Sequence, residues 1–453
     1  MMIGIRKLRR DPAWTWWFAR EIPMSQPNPD LSLSPRPHPP AYGRNFGRKR
    51  AVLAVIGPGL VVMLADTDVG SLVTAAQSGA RWGYRLLLLQ LVLIPILYVV
   101  QELTVHLGVH TGLGHGELIR KIFGPGWAWL SVSGLVVACF GALLTEFSGV
   151  ASIGSLFGVP EWLSLGLAVG FLLAVVWTGS YRRVERVAVL FGLFELVFFL
   201  IALASRPDPS AMLQGLAHVP FANADYRFLI AANIGAVIMP WMIFYQQSAI
   251  ADKGLAPADY RAARLDTALG AVITQLVMAA VLVATAATIG RVRPDASLEN
   301  VGQIVEAFVP FLGEMLGKVV FSAGILGAAF VAAIVVSLAT AWGLGEVTGY
   351  SHSLQRKPGQ APWFYIVYSV MVLGSALVVA YAPSLVSLNV AVEVMNALLL
   401  PLVLGFLYLL AMRALPPAAR PGPVYRWIVL AVVGVTSVLG VYAGISGALT
   451  LGG

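Results

Sequence analysis

Charge is what this chain has least of. Only 11% of its 453 residues are Asp, Glu, Lys or Arg, less than half the share of about 25% found in ordinary soluble domains. Cysteine is scarcer still. The single Cys139 excludes an intramolecular disulfide and a cysteine metal cluster, and within an apolar run it reads as a small buried hydrophobe. There is no Walker phosphate loop, no His-Glu-x-x-His run and no Ser-His-Asp candidate, so neither an ATP-driven pump nor an enzyme is expected. Sizeable extramembrane domains, which a receptor or scaffold would need, are missing too.

What remains is apolar. Hydrophobic residues make up 58% of the chain, and runs near the ~20 residues that cross a bilayer recur throughout. Eleven spans are expected, at 52–74, 85–109, 126–155, 161–178, 187–204, 228–251, 265–289, 316–345, 361–382, 385–412 and 426–449. This predicts an all-α polytopic membrane protein with one transmembrane domain over 51–453. Residues 1–50 are rich in Arg and Pro (Ser32-Leu-Ser-Pro-Arg-Pro-His-Pro-Pro40) and lack an apolar core. They read as a disordered, basic cytoplasmic tail rather than a secretory signal, with Met24 an alternative start to Met1.

The net charge of +8 does not imply nucleic acid, because the basic residues are unevenly placed. Alternate loops carry thirteen Lys and Arg, among them Arg182, Arg183, Lys253, Arg264 and Arg420, against six in the others, Arg81, Arg85, Arg206, Arg227, Arg291 and Arg293. The bias puts the N-terminus inside and the C-terminus outside a plasma (inner) membrane. The lipid bilayer is the expected environment, and a monomer the expected unit.

Two acids stand inside the first apolar run, in Gly57-Pro-Gly-Leu-Val-Val-Met-Leu-Ala-Asp66-Thr-Asp68-Val-Gly-Ser71. A charge at membrane depth costs at least ~2.5–3.5 kcal/mol, and two carboxylates so close repel unless a cation lies between them. Span six carries the other interruption, Gly235-Ala-Val-Ile-Met239-Pro240-Trp241. A mid-span proline removes a backbone donor and should unwind the helix near Ala236–Pro240, and loose backbone at that depth must face a cavity or ligand. Spans one and six each open a set of five. Paired interruptions of this kind point to an inverted-repeat transporter with a midplane site.

At these residues the chain resembles the Nramp family of divalent-metal transporters, and most of all its magnesium-transporter branch. The shared positions include Gly57-Pro58-Gly59, Asp68, Gly70, Gln77, Gly79-Ala80, Gln101, Leu107-Gly108-Val109, Phe157-Gly158-Val159-Pro160, Gly235-Ala236 and Met239-Pro240. The resemblance implies a LeuT-type fold, helices 1–5 and 6–10 in inverted repeat, with helices 1 and 6 broken. It places the metal-binding Asp of the family's Asp-Pro-Gly-Asn motif at Asp68 and its Asn at Ser71. The carbonyl ligands fall on Ala65 and Ala236, and the sulfur ligand on Met239. Gly70, Pro240, Trp241, Gln246 and Glu146 fall along the gate or cavity.

Departures from the family pattern carry chemical meaning. Two family histidines are replaced by Trp241 and Gln246, which cannot relay protons near neutral pH, and a span-three acid is replaced by Gly149. Asp66 adds a carboxylate, as a direct or water-mediated ligand or as a vestibule group. Mg2+ is held through retained waters by one or two carboxylates, which Asp66, Asp68 and the short Ser71 suit; the Met239 thioether favours softer ions, or only lines the wall. The expectation is a carrier importing Mg2+, with Mn2+ also accepted, without proton coupling and with no prosthetic group. A proton-coupled Mn2+/Fe2+ importer and a cation-coupled amino-acid carrier of the same fold are the alternatives. Glu102, His106, Glu195, Glu393, Asn389 and Asn396, also at membrane depth, read as helix-packing groups before transport groups.

Overall fold

Proline and glycine set where the helices start and stop. In the computed structural model, which describes residues 57–293, 298, 300–381 and 389–451, Pro58, Pro125, Pro240, Pro362 and Pro423 each occupy the first position of a helix. There the missing N–H is one of the orphans anyway. The expected tail, 1–50, lies outside the described residues.

Span one is two helices, α1 (Pro58–Asp66) and α2 (Val69–Trp82). A short turn leads to α3 (Leu87–Thr111), which is span two, and then to the amphipathic α4 (His115–Phe123). Spans three and four are α5 (Pro125–Leu156) and α6 (Glu161–Val176). Span five comprises α7 (Tyr181–Gly192) and α8 (Val197–Ala204). After the short α9 (Pro209–Ala217), span six is again two helices, α10 (Ala224–Val237) and α11 (Pro240–Lys253). Span seven is α12 (Tyr260–Ala287), followed by the single turn α13 (Ile289–Val292) and by α14 (Val301–Gly313). Spans eight to eleven are α15 (Phe321–Thr348), α16 (Pro362–Tyr381), α17 (Asn389–Arg413) and α18 (Pro423–Leu451).

Among the described residues, nine helical stretches are long and apolar enough to cross a bilayer. Helices nevertheless correspond to all eleven expected spans, of which residues 52–56, 382 and 385–388 lie outside the described residues. One stretch, Val69–Thr111, holds both the second half of span one and span two, and Glu161–Val176 is a shorter apolar helix. The architecture is the LeuT-type inverted repeat, with the first helix of each half broken. Span five begins six residues before its apolar run, because Arg182, Arg183 and Arg186 ride on its first amphipathic turns. The short helices α4, α9 and α14 were not expected; none is long enough to signal a span.

The broken helices occupy the middle. The α1 helix packs on α12, α15 and α7; α2 packs on α12, α17 and α10; α11 packs on α3 and α15. Span eleven is peripheral and leaves Val424, Trp427, Val435 and Val438 exposed, as a lipid-facing helix does.

Candidate functional site

The break in span one begins after Asp66. Thr67 leaves helical geometry, and Asp68 takes an extended conformation as N-cap of α2, its Oδ1 accepting from Ser71 N at 2.7 Å. The last carbonyls of α1, Ala65's included, lack intrahelical partners. Ala65's usual donor four residues on, Val69 N, is directed instead to Glu146 Oε2 at 3.3 Å.

Span six opens by the matching device. The helix stops at Val237, Ile238 and Met239 are non-helical, and Pro240 begins α11. Pro240 has no N–H for the Ala236 carbonyl. That carbonyl accepts the Ser71 hydroxyl at 2.9 Å, which ties the two breaks together. Ala65, Asp66, Asp68, Ser71, Ala236 and Met239 are all buried.

Five buried carboxyl groups surround the span-one break: Asp66, Asp68, Glu146 of α5, Glu195 of span five and Glu393 of α17. Thr67 Oγ1 lies within hydrogen-bond reach of Glu195 Oε2 and, at 2.9 Å, of Leu64 O, its one proton shared between the two acceptors. Glu393 Oε2 accepts from Asn396 Nδ2 at 3.1 Å. A Cβ on Gly70 would stand 2.3 Å from Glu393 Oε1 and 3.5 Å from Asp68 Oδ1. Only glycine lets these two carboxylates flank α2 so closely. Gly235 serves the same end from span six, where a Cβ would lie 1.8 Å from the Glu393 carbonyl oxygen.

Five carboxylate oxygens here have no hydrogen-bond partner among the described residues: both of Asp66, Asp68 Oδ2, Glu195 Oε1 and Glu393 Oε1. None of the five acids forms an ion pair with a basic side chain among the described residues. Buried charges are ordinarily paired or coordinate a metal. Among the described residues no three His, Cys, Asp or Glu side chains close on one point, so a cation here would be shared among carboxylate, backbone carbonyl and the Met239 thioether.

The family model described as natural resistance-associated macrophage protein-like, Nramp, matches residues 59–446. The chain belongs to the Nramp family. A divalent metal cation transporter, MntH, from Chromohalobacter salexigens is 28% identical over 305 residues, 64% of this chain and 70% of that protein. Metal transporter Nramp6 of Arabidopsis thaliana is 32% identical over 202 residues, 43% of this chain and 38% of that one. The manganese transporter of Eremococcus coleocola superposes with a TM-score of 0.71 at 19% identity, covering 90% of this chain and 89% of that one. MhsT in complex with L-phenylalanine superposes at 0.54 with 15% identity, covering 86% and 98%. These likenesses are of fold.

The remaining expected positions of this Nramp protein fall unevenly. Trp241 is fully buried with its Nε1 unpartnered, which rules out a lipid-facing role. Gln246 Nε2 donates to Thr267 Oγ1 of α12 at 2.8 Å, bracing span six on span seven. Glu146 caps the start of α2 and takes Thr145 Oγ1 at 3.2 Å. Glu195 and Glu393 read from sequence as packing groups, yet both face the break. Their depth in the membrane marked them, but their convergence depends on contacts 128 and 323 residues from Thr67 and Gly70 that no local pattern reveals.

Proposed function

We propose that this Nramp protein imports divalent cations, Mg2+ with Mn2+ also accepted, without proton coupling and as a monomer. The observation that carries the reading is the ring of buried acids around two helix breaks, with five carboxylate oxygens unpartnered. Asp68 is the primary ligand. The Ala65 and Ala236 carbonyls share the ion, and Asp66 and Glu393 add charge through retained water. Ser71 offers its oxygen lone pairs while its hydroxyl proton is donated to the Ala236 carbonyl. Such a hard, oxygen-rich and strongly negative site suits an ion that keeps part of its hydration shell.

The ion would cross by alternating access, the half-helices of spans one and six moving against the rest of the bundle. Uptake needs no proton. An inside-negative potential of 100 mV is worth ~2.3 kcal/mol per charge, hence roughly 4.6 kcal/mol for a divalent ion, or about a thousand-fold accumulation. Trp241 and Gln246 carry no group that titrates near neutral pH, which supports uncoupled movement. The asymmetry of the basic loops supports a cytoplasmic N-terminus.

A proton-coupled importer of Mn2+ or Fe2+ is favoured by one observation, the buried Met239 at the head of α11, since thioether sulfur selects softer ions. Uptake into proteoliposomes, with Mg2+ and Mn2+ in competition and internal pH recorded, separates the two. Mg2+ uptake at constant internal pH is the expected result. Mn2+ uptake indifferent to excess Mg2+, with internal acidification, supports the second reading instead.

A further inference from the structure

A second group of membrane-depth side chains lies away from the breaks, at the end of the bundle marked by Arg261, Arg264 and Arg420. Glu102, His106 and His110 follow one another at i, i+4 and i+8 along α3, so they share one helix face. They line an open cavity of about 690 Å³ together with Tyr260, Arg264 and Tyr425.

Hydrogen bonding fixes both imidazoles in one tautomer. His110 Nδ1 lies 2.9 Å from the His106 carbonyl oxygen, so it must carry the proton and donate. Tyr260 spends its hydroxyl proton on Glu102 Oε1, and its oxygen, 3.4 Å from His106 Nδ1, is left to accept. Both rings therefore hold their proton on Nδ1 and present a lone pair on Nε2. Among the described residues neither Nε2 has a hydrogen-bond partner, the contacts of both rings running through Nδ1. A backbone carbonyl thus stands behind the His110 ring, and behind His106 the Tyr260 hydroxyl, itself bonded to the Glu102 carboxylate; outer-shell partners of this kind orient a histidine toward a metal.

The spacing agrees. Two imidazoles on one metal, at bond lengths of ~2.0–2.1 Å and angles between about 90° and 109°, put their ring centroids roughly 4.5–5.2 Å apart. The His106 and His110 centroids are 4.6 Å apart, with the rings tilted by 55°. Nearby positive charge is already engaged. Arg264 Nε lies 3.4 Å from Glu102 Oε1 and its NH2 group donates to Tyr98 Oη at 3.0 Å, while Arg420 Nε donates to Leu415 O at 3.1 Å.

We propose that His106 and His110 form a second metal site, separate from the Asp68 site, that takes an imidazole-preferring transition ion of the Zn2+, Cu2+ or Ni2+ class through the two Nε2 atoms, with water from the cavity completing the shell. Mg2+, which prefers oxygen, is excluded from it.

The test is copper binding to the full-length protein with any affinity tag removed. One equivalent of Cu2+ added to the Asp68→Ala variant should give an electron paramagnetic resonance spectrum with two equatorial nitrogens. Wild-type protein in excess Mg2+ should give the same spectrum, which covers the case of a variant that does not fold. His106→Gln or His110→Gln should each weaken binding at least ~10-fold and leave Mg2+ uptake unchanged. In wild-type protein a large excess of Zn2+, which such a site binds less tightly than Cu2+, should displace the copper, and the same excess of Mg2+ should not. A spectrum without nitrogen coupling, a two-nitrogen signal that survives in the double His→Gln variant, or displacement by Mg2+ overturns the proposal.

Discussion

Gly70 shows how tightly the site is built at the scale of single residues. Its missing side chain is the space into which Glu393 Oε1 projects beside Asp68. Gly70→Ala should force that carboxylate aside, at a cost of about 1–3 kcal/mol for overpacking, and lower uptake roughly tenfold or more. Adding Glu393→Ala to Gly70→Ala should relieve the clash and restore part of the fold stability, read as the melting temperature of the detergent-solubilised protein. Asp66→Asn tests a different property. Asp66 carries two unpartnered oxygens but caps nothing, so its loss should move the ratio of Mg2+ to Mn2+ uptake toward Mn2+ while transport persists. An unchanged ratio would assign Asp66 to the vestibule. Asp66, Asp68 and Pro240 were conspicuous in the sequence because membrane depth penalises charge and helix interruption. The roles of Glu195, Glu393 and Gly70 were not, because each depends on a partner from a distant span.

At the scale of elements, α1 is held by its N-terminus. Gly57 N and Gly59 N both donate to Asp266 Oδ2 of α12, at 3.1 and 2.9 Å. Lys253, the last residue of α11, pairs with Glu185 of α7 at 2.8 Å beside Gly57. One carboxylate thus caps a half-helix that the proposed alternating access requires to move, and the ion pair beside it links two neighbouring spans. Hydrogen bonds to a charged group contribute about 1.5–3 kcal/mol each. Asp266→Ala should therefore raise the open population about tenfold or more. The native Cys139 is buried, so a cysteine at the partly exposed Leu60 reports with little background. Its labelling rate should rise when Asp266→Ala is added; an unchanged rate would mean that α1 is held by packing alone. This latch was not legible in the sequence, where Asp266 and Lys253 sit at the margins of apolar runs like many helix-end charges. The breaks themselves were legible, since proline and glycine act on their own backbone.

The whole molecule repeats this division. Eleven spans follow from apolar runs of bilayer length, and the expected boundaries missed mainly where amphipathic turns extend a helix beyond its apolar stretch, as at Tyr181–Arg186. The inverted repeat followed from two interrupted helices in matching positions. What the pattern could not supply was which acids converge, or that a pair of histidines on α3 lines a cavity away from the breaks. A bundle with its central acids enclosed and no proton-relay histidine beside them should behave as a potential-driven carrier. In proteoliposomes a potassium diffusion potential, negative inside, should drive Mg2+ accumulation, and collapsing it should stop uptake while an imposed pH gradient alone drives none.

The most direct measurement sets wild type beside Asp68→Ala under that potential, with Mg2+ and internal pH followed together. Wild type should accumulate Mg2+ at constant internal pH, and Asp68→Ala should fall to the level of protein-free liposomes. Undiminished uptake by Asp68→Ala would contradict the account.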